Sequence, residues 1–214
     1  MSNILVYTLE NKIYINLTNR CTNDCIFCLR NDKDDVCGQT LWLDSEDFTH
    51  EDVIAQYEKI LSSAQNDGIE YAKEVVFCGY GEPLLKFDIL KNVAKYIKEK
   101  SPETKIRINT NGHANFVYKK NIVPDLVGLV DEISVSLNGA TSEEYDELSQ
   151  PKFENAYEEV KKFIKCCAES KIHTVTSVVD GYKGRRLDIP ACAKIARELG
   201  ADFRVREWIQ NGYS

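Results

Sequence analysis

A chain of 214 residues with 43% hydrophobic and 29% charged side chains is long enough for one packed core and has the composition of an ordinary soluble globular protein. Its net charge of −7 works against a general nucleic-acid binder, because such a surface repels phosphate backbones. No apolar run reaches the length of a membrane span and the start, Met1-Ser-Asn-Ile-Leu-Val, lacks the basic region of a signal peptide, so a cytoplasmic location is expected.

In chain order, Ile4-Leu-Val-Tyr-Thr8 and Lys12-Ile-Tyr-Ile-Asn-Leu17 are β-rich runs that predict a hairpin across Leu9-Glu10-Asn11. The second run leads into Cys21, Cys25 and Cys28, spaced Cys-x3-Cys-x2-Cys, and then into a polar loop over residues 30–41. Val53, Ile54, Tyr57, Ile60 and Leu61 give Asp52 to Gln65 a helical period, with His50 near its start. Glu74 to Cys78 is a short apolar strand stopped by Gly79-Tyr80-Gly81, and Asp88 is placed to cap a helix running to about Lys100. Lys105 to Asn109 predicts a strand, Leu126 to Val130 a short helix, and Glu132 to Leu137 another strand.

Thr141 with Glu144 three residues on has the form of a capping box. A long amphipathic helix is expected from about Phe153 to Ser170 and a strand from His173 to Val179. Asp188 with Pro190 in the first turn opens a further helix, and Asp202 to Arg206 is the last strand. Strand and helix alternate six times, which implies a parallel sheet with helices packed outside it. Periodicity leaves an open doubly wound sheet and a curved partial barrel equally possible. Without a repeat or linker, one domain is expected over residues 1–214.

Eight cysteines in a reducing compartment argue for metal or catalysis rather than disulfides. Cys166, Cys167 and Cys192 read as buried packing. Three thiolates on one tight loop can hold three irons of a cubane cluster and leave the fourth iron open. A zinc site completed by Cys37 is the bland alternative, although structural zinc sites usually show two cysteine knuckles and this chain has one.

The strand ends carry further candidates, since ligands in parallel α/β folds bind where the carboxyl ends converge. They are Gly79-Tyr80-Gly81-Glu82-Pro83, Asn109-Thr110-Asn111-Gly112 and Ser134-Val-Ser136-Leu-Asn138; each is also an ordinary turn former. His113 reads as a solvated loop residue, and His173 sits at the structural end of its strand. Arg204 and Arg206 share a face that is either interior, where they would bind an anion, or the solvent side of an edge strand. Lys183-Gly184-Arg185-Arg186 reads as a solvated loop.

The cysteine spacing, with Phe27 before the last cysteine, resembles the radical SAM superfamily. That resemblance implies a partial (β/α)6 barrel of the radical SAM type, with a short N-terminal β-hairpin extension. It also implies a [4Fe-4S] cluster on Cys21, Cys25 and Cys28, whose open iron chelates S-adenosylmethionine. Gly79-Tyr80-Gly81-Glu82-Pro83 is similar to the family's Gly-Gly-Glu-Pro, with Tyr80 in place of the first glycine. By the same resemblance Phe27 positions the adenine, and Tyr80, Gly81 and Glu82 hold the methionyl amine. Thr110, Asn111, Ser136 and Asn138 then serve the carboxylate and ribose.

Asn16-Leu-Thr-Asn-Arg-Cys21, Val76 to Leu85, Arg107 to Gly112, Asp131 to Asn138 and the Leu41-Trp42-Leu43 segment together resemble the TatD-associated radical SAM proteins. Implied partners are an unidentified small-molecule or protein substrate, a reductant such as flavodoxin or ferredoxin, and a TatD-like hydrolase. Two rival readings share the cysteines: a glycyl-radical enzyme activase, and a non-catalytic iron–sulfur or zinc module.

Overall fold

A computed structural model describes residues 3–31, 33–36, 38–67 and 73–208, so Cys37 lies outside the described residues. The chain divides into two compact units. Met1–Cys21, Lys33–Asn109 and Gly128–Asp131 form the first; Thr22–Asp32, Thr110–Val127 and Glu132–Ser214 form the second.

In the first unit, β1 (Val6–Leu9) and β2 (Lys12–Ile15) form the expected antiparallel hairpin, with Val6 opposite Ile15. Its turn places Glu10 in the left-handed region. The polar loop expected over 30–41 contains a two-residue hairpin, β3 (Asp35–Val36) and β4 (Gln39–Thr40). Helix α1 (His50–Asp67) starts where the Thr49 N–H and hydroxyl both donate to the Asp52 carboxylate, at 2.8 and 3.1 Å. β5 (Glu74–Phe77) runs parallel to β2. Val75, Val76 and Phe77 are buried in succession, as a strand covered on both faces requires.

Helix α2 (Phe87–Lys100) buries Phe87, Leu90, Val93, Ala94 and Ile97 at helical spacing. Asp88 is not its cap. The cap position falls to Lys86, without a side-chain bond, because a 3₁₀ turn (Pro83–Lys86) precedes the helix, and Glu82 caps that turn. β6 (Lys105–Thr110) lies parallel to β5, giving the order β1-β2-β5-β6 in this unit. Asp131 fastens its start by accepting from the Ile106 N–H and the Lys98 ammonium, each at 2.7 Å.

The second unit contains a helix that the sequence did not announce, α3 (Ala114–Tyr118). The short helix expected over 126–130 is instead a 3₁₀ turn at Val123–Leu126. Pro124 presets its first residues, and extended Val127 ends it. β7 (Glu132–Ser136) is followed by α4 (Ser142–Ser149), whose Thr141 hydroxyl accepts from the Glu144 N–H. Helix α5 (Ala156–Glu169) buries Tyr157, Val160, Phe163, Ile164 and Cys167 along one face. β8 (His173–Asp180), α6 (Ile189–Glu198) capped by Asp188, and β9 (Asp202–Glu207) complete the unit.

The strands β7-β8-β9 are parallel and in that order. Their register puts Ser136, Ser177 and Arg204 side by side, with Ser134 and Arg206 on the same face. The opposite face carries buried Ile133, Val135, Thr176 and Val178.

Candidate cofactor site

The first unit builds a rigid seat ahead of Cys21. Asn16 is buried and donates through Nδ2 to the Leu41 carbonyl at 2.7 Å. Asn19 pairs with both backbone groups of Leu43, at 2.8 and 3.0 Å. The Thr18 hydroxyl and Asn19 N–H donate to the Glu46 carboxylate at 2.6 and 2.8 Å, with the Lys86 ammonium 3.3 Å from its other oxygen. Burial pushes the Glu46 carboxyl up, but these hydrogen bonds outweigh it and hold the group below its ordinary range. Glu46 was missed in the sequence, whereas Asn16, Asn19 and the Leu41-Trp42-Leu43 segment were quoted there as motif residues without this contact.

The glycine motif packs onto the same backbone. The Glu82 N–H donates to the Arg20 carbonyl at 2.8 Å. A Cβ on Gly81 would collide with the Thr18 carbonyl oxygen and lie 2.6 Å from that of Arg20, so only glycine fits. Tyr80 turns its ring into a core cluster with Tyr7, Val36 and Leu41, and its hydroxyl donates to the Lys33 carbonyl at 2.8 Å. The side chain replacing the family glycine is thus used for packing, which leaves the motif's backbone in place. The Glu82 carboxylate accepts from the Leu84 N–H at 3.1 Å.

In the second unit, the loop bearing Cys25 and Cys28 is a tight turn. The Cys28 N–H donates to the Cys25 carbonyl at 3.0 Å, and Asn31 closes on both cysteines, its N–H to Cys28 and its Nδ2 to the Cys25 carbonyl. The loop is fastened to the end of α4. Asp24 N–H donates to the Ser149 and Gln150 carbonyls, and Ile26 N–H to that of Leu148 at 3.0 Å. Arg30 returns to the Asp24 carboxylate at 2.8 Å. The Phe27 ring meets Tyr182 edge-on at 6.1 Å, and Tyr182 meets Trp208 at 5.1 Å. Tyr182 and Trp208 were not singled out in the sequence; Gly181, left-handed directly after β8, is the signal that could have found them.

Thr110 and Asn111 are buried at the end of β6. Thr110 Oγ1 accepts from the Gly112 N–H, and Asn111 Oδ1 from the His113 N–H. Ser136 is half-buried at the end of β7. Asn138 is buried in the left-handed region, with Nδ2 3.3 Å from the Ser149 hydroxyl and Oδ1 without a hydrogen-bond partner among the described residues.

His113 corrects the expectation of a solvated loop residue: it is 1% exposed. Its Nδ1 lies 2.9 Å from Thr22 Oγ1 and its Nε2 2.9 Å from the Tyr145 hydroxyl. Burial lowers its pKa to about 4. Cys167 and Cys192 are buried as expected, whereas Cys166 is only half-buried. Arg204 faces Glu132 at 3.5 Å on the last strand of its unit. In the 183–186 run, Arg185 pairs with Glu147 and Arg186 with Asp180 and Glu207, so no unneutralised arginine patch forms there.

Cys21, Cys25 and Cys28 are all partly exposed, and soft thiolate donors on a short loop suit an iron–sulfur cluster. Among the described residues, no three histidine, cysteine or carboxylate side chains are already gathered as a metal site. The fit therefore rests on donor chemistry and loop spacing.

Residues 15–199 match the model of the Radical SAM superfamily. The chain belongs to that superfamily, which makes it a domain of an enzyme family. Its fold is similar to SuiB of Streptococcus suis bound to precursor peptide SuiA, at 22% identity and a TM-score of 0.63 over 96% of this chain and 41% of that one. It is also similar to anSMEcpe with bound AdoMet (14% identity, TM-score 0.58, 92% and 50% covered) and to methylornithine synthase PylB (14%, 0.56, 92% and 53%). The chain thus spans about half the length of these proteins, or less. No curated protein matches it. The fold is α/β with a mostly parallel sheet, of the partial-barrel class.

Proposed function

We propose that this chain is a single radical SAM core over residues 1–214 that reductively cleaves S-adenosylmethionine and acts on an unidentified substrate. One observation carries the reading: Cys21-x3-Cys25-x2-Cys28 lies inside the family match, and Gly81 of the glycine motif is seated on the carbonyls of Thr18 and Arg20, just ahead of Cys21. Cys21, Cys25 and Cys28 would hold a [4Fe-4S] cluster. When bound, that cluster supplies the electron that splits S-adenosylmethionine into methionine and a 5'-deoxyadenosyl radical.

The chain's own residues bind and orient. The backbone at Tyr80, Gly81 and Glu82 offers carbonyls to the methionyl amine. Thr110, Asn111, Ser136 and Asn138 offer hydroxyls and amides to the carboxylate and ribose, and the Asn138 Oδ1 acceptor lacks a partner among the described residues. Phe27, held by Tyr182, gives the adenine a flat apolar surface. Ser177 and Arg206, on the polar face of β8 and β9, suit an anionic group of the substrate. SuiB, solved with a precursor peptide and with S-adenosylmethionine, makes a peptide a substrate class worth testing first. Membership of the TatD-associated group would add a TatD-like hydrolase as partner, with flavodoxin or ferredoxin as reductant.

Anaerobic reconstitution with iron and sulfide, then dithionite and S-adenosylmethionine, is expected to give a brown protein that releases 5'-deoxyadenosine. Alanine at Cys21, Cys25 or Cys28 should abolish both, whereas Cys37→Ala should change neither. One zinc per chain with no brown chromophore would overturn the reading in favour of a structural metal module.

A further inference from the structure

Beneath the cysteine loop lies a closed ring of hydrogen bonds that the cofactor contacts do not use. Thr22 Oγ1 is 2.9 Å from His113 Nδ1, and His113 Nε2 is 2.9 Å from the Tyr145 hydroxyl. Asn23 Nδ2 donates to that hydroxyl at 3.1 Å, and Asn23 follows Thr22 in the chain, which closes the ring. Asn111 braces it twice. Its Nδ2 donates to Thr22 Oγ1 at 2.8 Å, while its Oδ1 accepts from the His113 N–H at 3.1 Å. Phe153 packs edge-on against the imidazole at 4.7 Å, and Tyr145 is fully buried on α4.

A neutral imidazole has one donor and one acceptor nitrogen, so it can bridge two hydroxyls in a fixed orientation. Here the two hydroxyls belong to the root of the cysteine loop and to the helix that anchors it. A buried ring in which the imidazole and both hydroxyls are paired favours one geometry, because each broken bond leaves a buried group unsatisfied. Thr22 immediately follows Cys21, and Asp24 and Ile26 hang on the same helix.

We infer that His113 is a positioning residue for the cluster loop: it touches neither cluster nor cofactor, and it fixes the root of the loop by bridging Thr22 to Tyr145. This rests on the proposed cluster only for its purpose. The clamp itself is made of protein groups, so it is open to test in iron-free protein.

Amide hydrogen exchange of the full-length, iron-free chain would compare wild type with His113→Phe, which keeps a ring and loses both bonds. The Asp24 and Ile26 amides should exchange at least tenfold faster, while the Val135 and Val178 amides of the sheet change less than threefold. His113→Gln, which retains a donor and an acceptor, should restore much of the protection. Thr22→Val should reproduce the effect of His113→Phe, and the double variant should add little to either.

After reconstitution, His113→Phe should lose iron to a chelator severalfold faster than wild type. Equal acceleration at loop and sheet amides, or additive effects of the Thr22 and His113 changes, would overturn the clamp and leave an ordinary core histidine. If His113→Phe does not fold, Tyr145→Phe removes a single hydroxyl and serves the same comparison. Failure of the wild type to take up iron would refute the cluster and leave the exchange result to decide the clamp.

Discussion

Gly81 shows how much of the proposed site depends on a missing methyl group. Its position has room for a hydrogen and no more, because the carbonyls of Thr18 and Arg20 close on it from one side. Gly81→Ala must push the motif off the residues preceding Cys21. The expected cost is about 1–3 kcal/mol of stability, as for other overpacked sites, with iron content reduced in parallel. Denaturant unfolding and iron analysis check both. Neighbouring Tyr80 carries the opposite lesson, since its ring is absorbed by the core cluster and its hydroxyl by Lys33. The family departure at that position changes packing while the adjoining backbone keeps its seat.

Helix α4 links a short-range sequence signal to a long-range role. Thr141 accepts from the Glu144 N–H at 3.2 Å, and Glu144 reaches back to the Ala140 N–H at 2.7 Å. The far end of the helix holds the Asp24 and Ile26 N–H groups. Thr141→Ala should therefore cost about 1 kcal/mol, the usual loss for an N-cap. Thermal unfolding gives that cost, and faster exchange at the Asp24 amide would report its transmission to the cysteine loop. Caps of this kind made two helices readable: Thr141 with Glu144 and Asp188 with Pro190 each announce one within four residues. Helix α3 was not readable, having five residues and no side-chain cap. The shift of the 126–130 helix to Val123–Leu126 follows from Pro124, whose pull outweighed the apolar run after it.

Stability against acid integrates these local effects over the folded chain. In the folded state His113 has a pKa of about 4, against 6.5 for an unperturbed histidine. Between those values the unfolded chain binds a proton that the folded chain refuses, so stability falls as the pH drops from about 6.5 to about 4. The shift corresponds to roughly 3 kcal/mol, most of it removed in His113→Gln, whose stability profile should be flatter across that window. His173 works in the other direction. The Asp202 carboxylate raises its pKa, so its contribution is full below about 6.5 and fades as the pH rises through the folded value.

The alternation of strands and helices along the chain and the cysteine motif were legible because they are written in neighbouring residues. The burial of His113 was not, because Thr22 and Tyr145, which make its environment, lie 91 and 32 positions away. The bonds of Asn16, Asn19 and Glu46 escaped notice for the same reason, each acting across at least 24 positions.

The anchoring of the cysteine loop on protein carbonyls and on an imidazole has a consequence for maturation. Each protein bond that holds the segment reduces the entropy that binding the proposed cluster would have to overcome in arranging the thiol-bearing turn.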